Sequence, residues 1–379
     1  MSIGSAALLA ARSRTRGSAL IITLWVAFGL VSLALYFGHS MSLELQISEN
    51  RMAGIASDQA VQGAARYAMH LLSNLQTPGV LPTVQTYVHD AVPVGDATFW
   101  FVGRDPDQAS PKLPYFALAD ESAKINVNSA TQEMLEALPR MTASLAAAII
   151  DWRDTNSDLT TGGAEDETYL RRNPPHRAKN SNFESLEELK LVFGMDLDIL
   201  YGEDANQNGI LDPNENDADT SLPTDNKDGK LDAGLMEYLT VATPIVSGVG
   251  GQTISRVNAN TASEVVLTCI PGIGKEGASA LIAYRKGHAD QITTANWFTN
   301  ALSGSTLQSA RTYLTNASAY FSADIAAVGQ HGRGYRRQRF VFDLSGTTPR
   351  IMSRQDLTSL GWALGPDARE TAMNLKRTQ

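Results

Sequence analysis

The residues whose types and spacing best suit chemistry lie in one stretch of twelve, from Asp204 to Glu215. Oxygen-bearing side chains occupy its first, third, fifth, ninth and twelfth positions, glycine occupies the sixth, and the seventh offers a backbone carbonyl. In order, these residues are Asp204, Asn206, Asn208, Gly209, Ile210, Asp212 and Glu215. This is the ligand order of the calcium loop, in which glycine allows a sharp turn and the last glutamate binds with both oxygens. The spacing predicts calcium as a cofactor, and the alternative is a solvated acidic loop.

A second oxygen-rich run follows from Asp225 to Asp232. With Gly229 placed at the sixth position, the same loop pattern fits only in part. The first, third, fifth, ninth and twelfth positions are then Thr224, Asn226, Asp228, Asp232 and Leu235. Because the two end positions lack a carboxylate, we expect Asp225 or Glu237 to substitute. The run is either a degenerate second calcium site, with Asp225, Asn226, Asp228 and Asp232 as ligands, or a plain turn.

The rest of the sequence offers no recognisable catalytic arrangement. The six histidines are scattered without metal-ligand spacing, and neither a Gly-x-Ser-x-Gly motif nor a Walker phosphate loop occurs. The formal net charge is −9, and the acidic residues concentrate between positions 151 and 237, which argues against a general nucleic-acid binder. The single cysteine, Cys269, cannot form an intrachain disulfide, and it is expected to be a small buried apolar residue. We therefore expect a protein that is not an enzyme.

The elements that must position these loops begin with an apolar helix near the N-terminus. Three arginines lie in the first 16 residues, and Ser18 to Phe37 then runs twenty residues without a charge. A helix of that length spans a hydrocarbon core of about 30 Å, with the arginines on the cytoplasmic side. The segment is either a signal peptide cleaved near residues 38–42 or a permanent anchor cleaved before it, between Gly17 and Ser18. Proline-free sequence from 41 to 75 favours the anchor.

The remaining pattern predicts an α+β fold. The helix is expected to run from 18 to about 76, where Thr77-Pro78-Gly79 stops it. Alternating aromatic and β-branched residues predict strands on both sides of a long middle region. They are expected at 97–102, 115–119, 319–328, 335–344 and 350–357. A helical domain inserted into an antiparallel sheet explains that order.

The middle region contains an internal repeat. Residues 126–130 recur at 258–262, an offset of 132 that also maps Pro139 to Pro271 and Arg153 to Arg285 without a gap. Each copy predicts a capped helix, a short turn and a second helix, with Ser129 and Thr261 as the N-caps. The copies resemble the helix-hairpin-helix motif, most clearly at residues 270–275, although the first copy lacks both hairpin glycines. We expect a packing role rather than DNA binding, because the surroundings are acidic.

Taken together, the basic leader, Gly17, the apolar helix, the repeats and the calcium run resemble the K-type minor pseudopilins of type II secretion systems. Most subunits of the pilin class carry glutamate at the fifth position after the cleavage site, where this chain has Ile22. The resemblance implies that Ile22 marks a subunit at the fibre tip, because it cannot pair with the amine of an earlier subunit. It also implies cleavage by prepilin peptidase before Ser18, N-methylation there, and a single-pass inner-membrane protein with its bulk in the periplasm.

The resemblance further implies partners and a domain layout. The partners are the I-type and J-type minor pseudopilins and the major pseudopilin. The layout is a leader (1–17), a transmembrane and spine helix (18–76), a pilin-like domain (77–122 and 318–379) and an inserted helical domain with the calcium loop (123–317). One alternative is a membrane-anchored DNA receptor of a DNA-uptake pilus that uses the 271–274 hairpin. Another is a calcium-dependent surface adhesin.

Overall fold

The computed structural model describes residues 7–106, 108, 112–218, 220–247, 253–294, 296–365, 367–368 and 370, with side chains from residue 19 onward. The helices are α1 (Ala7–Ser73), α2 (Gln132–Glu136), α3 (Ala143–Arg153), α4 (Asp166–Leu170), α5 (Leu197–Tyr201), α6 (Leu235–Tyr238), α7 (Glu264–Thr268), α8 (Gly274–Gly287), α9 (Phe298–Ala301) and α10 (Gly304–Tyr313). The strands are β1 (Val92–Val94), β2 (Ala97–Val102), β3 (Ala119–Asp120), β4 (Ile125–Asn126), β5 (Leu239–Thr240), β6 (Val246–Ser247), β7 (Thr253–Ile254), β8 (Val257–Asn258), β9 (Leu314–Thr315), β10 (Tyr320–Gly329), β11 (Arg336–Asp343) and β12 (Arg350–Asp356).

Helix α1 is long and apolar enough in its N-terminal part to cross a membrane. It ends at Ser73, three residues before the predicted end, because the Asn74 side chain donates to the His70 carbonyl at 2.7 Å and closes the last turn. The folded part of the protein covers only the C-terminal part of α1. There Val61, Ala65 and Leu72 are buried against the sheet, whereas farther toward the N-terminus Leu45, Met52 and Ile55 are uncovered.

The sheet that covers α1 is antiparallel, in the order β1-β2-β10-β11-β12, with β3 beside β10. Its strands come from before residue 121 and after residue 319, so the middle region is inserted between β3 and β10. One face packs on α1 through aromatic and aliphatic side chains. That face carries Phe99, Phe101, Phe321, Ile325, Phe340 and Phe342, whereas Trp100, Ala326 and Val328 face the opposite side. This arrangement confirms the predicted α+β fold.

Four of the five predicted strands lie within one residue of their predicted ends. The fifth, 115–119, is wrong as a regular strand. Only β3 and a single bridge between Val102 and Phe116 form there. Gly103 N donates to the Tyr115 carbonyl at 2.8 Å and Ala117 N donates to the Phe101 carbonyl at 2.9 Å, which forms this bridge. The pairing does not extend, because Phe101 N donates to the His89 carbonyl at 2.9 Å and β1 pairs with the preceding part of β2.

The internal repeat is visible in the structure, and each copy begins with a short strand that precedes its first helix. In each copy a two-residue strand, β4 or β8, pairs in parallel with β5 or β9, and a short helix, a turn and a longer helix follow. Arg153 donates to the Val127 and Ala130 carbonyls, and Arg285 donates to those of Ala259 and Ala262, which are the equivalent residues. Each arginine therefore ties its second helix back to the start of its own copy. That the copies are helix-hairpin-helix motifs stays a prediction.

The predicted N-caps of the repeat are wrong by two residues. Thr131 caps α2 by accepting from Met134 N at 3.2 Å, and Ser263 caps α7 by accepting from Val266 N at 3.4 Å. Thr261 instead donates to the buried Asp120 carboxylate at 2.7 Å. Asp120 also accepts from Asn258 at 2.7 Å, so this hydroxyl helps to join the middle region to the sheet.

Candidate cation-binding loops

The first predicted calcium loop, 204–215, is folded by its own side chains. Asp204 accepts hydrogen bonds from Asn208 N at 2.8 Å and from Gly209 N at 2.9 Å. Gly209 has φ +71°, and a Cβ there would lie 2.4 Å from Nε of Arg104. Only glycine fits this turn, because the backbone conformation is left-handed and the space is already taken.

The remaining oxygen-bearing side chains of the loop converge on Asp212. Asn206 and Asn208 donate to Asp212 Oδ2 at 2.8 and 2.9 Å. Glu215 Oε2 accepts from Asp212 N at 3.0 Å, while Oε1 is buried without a hydrogen-bond partner. These hydrogen bonds link the predicted ligands to one another, and Ile210 is buried.

The electrostatics of this loop fit a divalent cation. Burial and, to a smaller extent, the negative charge of Asp204 together raise the pKa of Glu215 to about 8. Burial also raises the pKa of Asp204, although Arg104 opposes the shift. Among the residues that the structure describes, no three Asp, Glu, His or Cys side chains already surround one point. Calcium would accordingly use amide and backbone oxygens of Asn206, Asn208 and Ile210 beside the carboxylates, as it does in such loops.

Two arginines dock the loop on the sheet. Arg337 of β11 is fully buried, pairs with Asp324 of β10 at 2.8 Å, and donates to the Gln207 carbonyl at 2.6 Å and to that of Asn206. Arg104, just after β2, donates to the same Gln207 carbonyl at 2.8 Å and contacts Asp204 at 3.4 Å. The conformation of the loop is thereby coupled to the joint between the middle region and the sheet.

The second run repeats the hydrogen bonds of the first loop. Asn226 donates to Asp232 Oδ2 at 3.1 Å, as Asn206 does to Asp212. Asp228 Oδ1 accepts from Lys230 N at 2.8 Å, as Asn208 accepts from Ile210 N. Both sixth-position glycines have positive φ. The run therefore has the conformation of the first loop at its third, fifth and ninth positions.

The substitutes expected for the ends of the second loop lie elsewhere. Asp225 accepts from the backbone N–H groups of Asp217, Ala218 and Lys227, and Glu237 pairs with Arg104 at 3.1 Å. Their places are taken by Asn216 and Glu203. Asn216 accepts from Gly229 N at 3.1 Å, as Asp204 does from Gly209 N. Glu203 accepts from Asp232 N at 3.0 Å, as Glu215 does from Asp212 N.

Sequence spacing could not identify Glu203, because the contact depends on a bridge between Gly202 and Ala233 that brings the start of one loop to the end of the other. The only signal was an additional carboxylate directly before Asp204.

The predicted processing and tip residues lie in α1. Ile22 is 61% exposed. Gly17 and Ser18 lie in the part of α1 that the structure describes by its backbone alone.

The comparisons with known proteins point to one family. Residues 112–201 match the family described as type II secretion system (T2SS), protein K. Type II secretion system protein K of Pectobacterium carotovorum subsp. carotovorum is 23% identical over 207 residues, 50% of this chain and 61% of that protein. The protein of the same name from Klebsiella pneumoniae is 33% identical over 81 residues, 20% of this chain and 25% of that protein. The matches thus span about three fifths and one quarter of the lengths of these two relatives.

A solved structure is also similar, at a lower sequence identity. It is the GspK-GspI-GspJ complex from the type 2 secretion system of enterotoxigenic Escherichia coli, with a TM-score of 0.49 and 16% identity over 79% of this chain and 98% of that chain.

Proposed function

We propose that this chain is a type II secretion system protein K, the minor pseudopilin at the tip of the pseudopilus. In this role it initiates and caps the fibre that drives protein export across the outer membrane. Its partners would be the I-type and J-type minor pseudopilins and, below them, the major pseudopilin. The proposed mechanism is assembly, and we expect no enzymatic activity.

The observation that carries the proposal is the uncovered apolar surface of α1. None of the membrane-length apolar stretch is buried within the protein, and the sheet covers the helix only from Ala53 onward. Ile22 lies on this stretch where most pilin-class subunits have glutamate. A helix of this kind is stable in a bilayer, and outside a bilayer it needs neighbouring apolar helices to cover it.

The same helix supports the proposed processing and localisation. Prepilin peptidase would cut between Gly17 and Ser18, which leaves the apolar stretch at the start of the mature chain. Arginines at positions 12, 14 and 16 would keep the leader in the cytoplasm, so the folded bulk would lie in the periplasm. The protein would remain a single-pass inner-membrane protein until it enters the fibre.

Calcium is the proposed cofactor, and its role would be structural. Asp204, Asn206, Asn208, Ile210, Asp212 and Glu215 would hold one ion, which would neutralise buried carboxylates that otherwise repel one another. Asn226, Asp228 and Asp232, with Glu203 and Asn216, would hold a second. Because Arg337 and Arg104 join the first loop to the sheet, a bound ion would stiffen the joint that orients the middle region at the tip.

The DNA-receptor alternative is not favoured by the surface around the second hairpin. The groove at residues 268–274 is shared with Glu133 of the first copy, which would repel a phosphate. The first copy has Arg140 and Met141 in place of the hairpin glycines.

Cysteine crosslinking in membranes tests the proposed role. The native Cys269 is buried, so an introduced cysteine is the reactive one. Leu24→Cys, on the uncovered stretch, should form crosslinks to other minor pseudopilins and none to a second copy of this chain. A matched cysteine at Glu184, exposed on the middle region, should form neither. Ladders of self-crosslinks from position 24 would mark a major fibre subunit and contradict the tip role.

A further inference from the structure

An exposed apolar surface lies in the middle region, at the end of α4. Leu170 ends that helix and is 49% exposed, and Leu191 and Phe193, in the segment that leads to α5, are 49% and 45% exposed. Val192, between these two, has an extended backbone and is fully buried. Because neighbouring side chains of an extended segment point to opposite sides, Leu191 and Phe193 both point to solvent. Single exposed apolar residues are ordinary on a protein surface, whereas adjacent ones favour a partner.

Hydrogen bonds hold α4 against this segment. Tyr169, which is buried, accepts from Phe193 N at 3.1 Å through its hydroxyl. Arg172 donates to the Leu191 carbonyl at 3.5 Å, and the ring nitrogen Nε2 of His176 lies 3.4 Å from the same oxygen. The end of α4 therefore borders both exposed side chains of the segment. The fold thus brings three exposed apolar side chains together from two parts of the chain that are separated in sequence.

The arginines beside these side chains carry a charge that is only partly neutralised. Residues 168–183 contain four arginines and lysines and no acidic residue, although the middle region as a whole is acidic. Arg171 and Arg177 each pair with a carboxylate of α4. Arg172 is exposed, and among the described residues no carboxylate forms an ion pair with it. The surface thus combines apolar side chains with one guanidinium that has no counter-ion.

We propose that Leu170, Arg172, Leu191 and Phe193 form a docking surface for an extended segment of a partner protein in which a carboxylate lies beside apolar side chains. The carboxylate would pair with the guanidinium of Arg172, whose planar donors bind a carboxylate through two hydrogen bonds. The apolar side chains of the segment would cover the three that are exposed here. Arginine and aromatic residues in such patches are typical of the residues that contribute most to protein–protein binding. This docking surface is independent of the contacts proposed for α1, because it lies wholly in the middle region.

An anionic membrane surface is the competing occupant, and the charges around the docking surface disfavour it. A lipid surface responds to summed charge, and Asp166 and Glu167 offset Arg171 and Arg177. Binding to a bilayer also requires apolar side chains that reach the acyl region. The three at this surface are each about half covered by the protein. A protein segment needs only contact with their exposed parts, so it fits the surface better.

Peptide selection tests the docking surface. A phage library of random twelve-residue peptides is panned on the full chain in detergent, and the enriched sequences are synthesised. They should carry Asp or Glu beside a large apolar residue, and they should bind Arg172→Glu and Phe193→Ser roughly tenfold more weakly than the wild type. Replacing the carboxylate of the peptide by lysine should restore binding to Arg172→Glu. Arg256→Glu and Leu222→Ser, at exposed positions outside the docking surface, are the matched controls and should bind as the wild type does.

Arg172→Glu should fold, because the side chain is exposed, and its melting temperature should lie within about 2 °C of that of the wild type. Equal peptide affinity for the wild type and Arg172→Glu would overturn the proposal, as would a selection that enriches no peptide or enriches peptides without a carboxylate. The membrane alternative is measured in parallel, with the chain in nanodiscs of phosphatidylcholine. Capture of separate phosphatidylglycerol vesicles by the wild type but not by Arg172→Glu would assign the surface to anionic lipid and overturn the proposal as well.

Discussion

Arg337 is the residue whose substitution should lower the free energy of unfolding most strongly. Its side chain is fully enclosed, and it holds Asp324 by two hydrogen bonds of 2.9 and 2.8 Å. It also donates to the carbonyls of Asn206 and Gln207 in the first calcium loop. Arg337→Met keeps an unbranched chain of similar length and removes every donor. Breaking a buried ion pair by removing one partner costs about 3–5 kcal/mol, because the other charge stays buried.

Arg339 reduces that cost, since it also pairs with Asp324, at 3.0 Å. Because this second guanidinium remains, we expect the lower end of the range, about 3 kcal/mol. For a folded part of this size the loss lowers the melting temperature by about 6–12 °C. Arg339→Met is the matched control. Its side chain is partly exposed and makes no contact with the loop carbonyls, so it should cost about 1 kcal/mol.

The assay is thermal unfolding of the full chain in detergent, combined with limited proteolysis. Arg337→Met should expose the 204–215 loop to cleavage before the sheet unfolds, whereas Arg339→Met should not. If both variants have the same melting temperature, the loop is not held by Arg337. That result would refute the coupling between the loop and the sheet.

Three further predictions concern the N-terminus, the calcium loop and pH. Mass spectrometry of the mature protein should find Ser18, methylated, as the first residue, and a chain that starts after Ser40 would indicate a signal peptide instead. Calcium at 100 times its dissociation constant should stabilise the wild type by about 2.7 kcal/mol, and Glu215→Ala should lose most of that gain while Glu184→Ala keeps it. Burial alone would raise the pKa of Asp324, but Arg337 and Arg339 outweigh it and lower the pKa to about 2. The resulting contribution of about 2 kcal/mol is complete above pH 4 and is lost as the pH falls toward 2, so the stability difference between wild type and Asp324→Asn should shrink over that interval.

The elements that could be predicted from the sequence are those that local residue patterns determine. Strands β10, β11 and β12 were found within one residue because alternating side chains and glycine turns mark them. The conformation of the 204–215 loop was predictable for the same reason, since Asp204, Gly209 and Glu215 act within twelve residues.

The predictions from the sequence were wrong where contacts between distant segments determine the structure. The strand predicted at 115–119 does not form, because His89 and β1 already pair with the edge of β2 along which it would continue. Thr261 looked like a helix cap, but it bonds to Asp120, far away in sequence. Glu203 completes the second loop only because the chain brings Gly202 beside Ala233. Such contacts depend on tertiary packing, which single-sequence spacing does not record.

We have proposed that this chain caps a fibre instead of forming its shaft. Quantitative mass spectrometry of sheared pseudopili, sorted by length, tests it most directly. A cap is present once per fibre, so the ratio of this chain to the major pseudopilin should fall in inverse proportion to fibre length. A ratio that stays constant as the fibres lengthen would show that the chain is distributed along the shaft, and it would contradict the account.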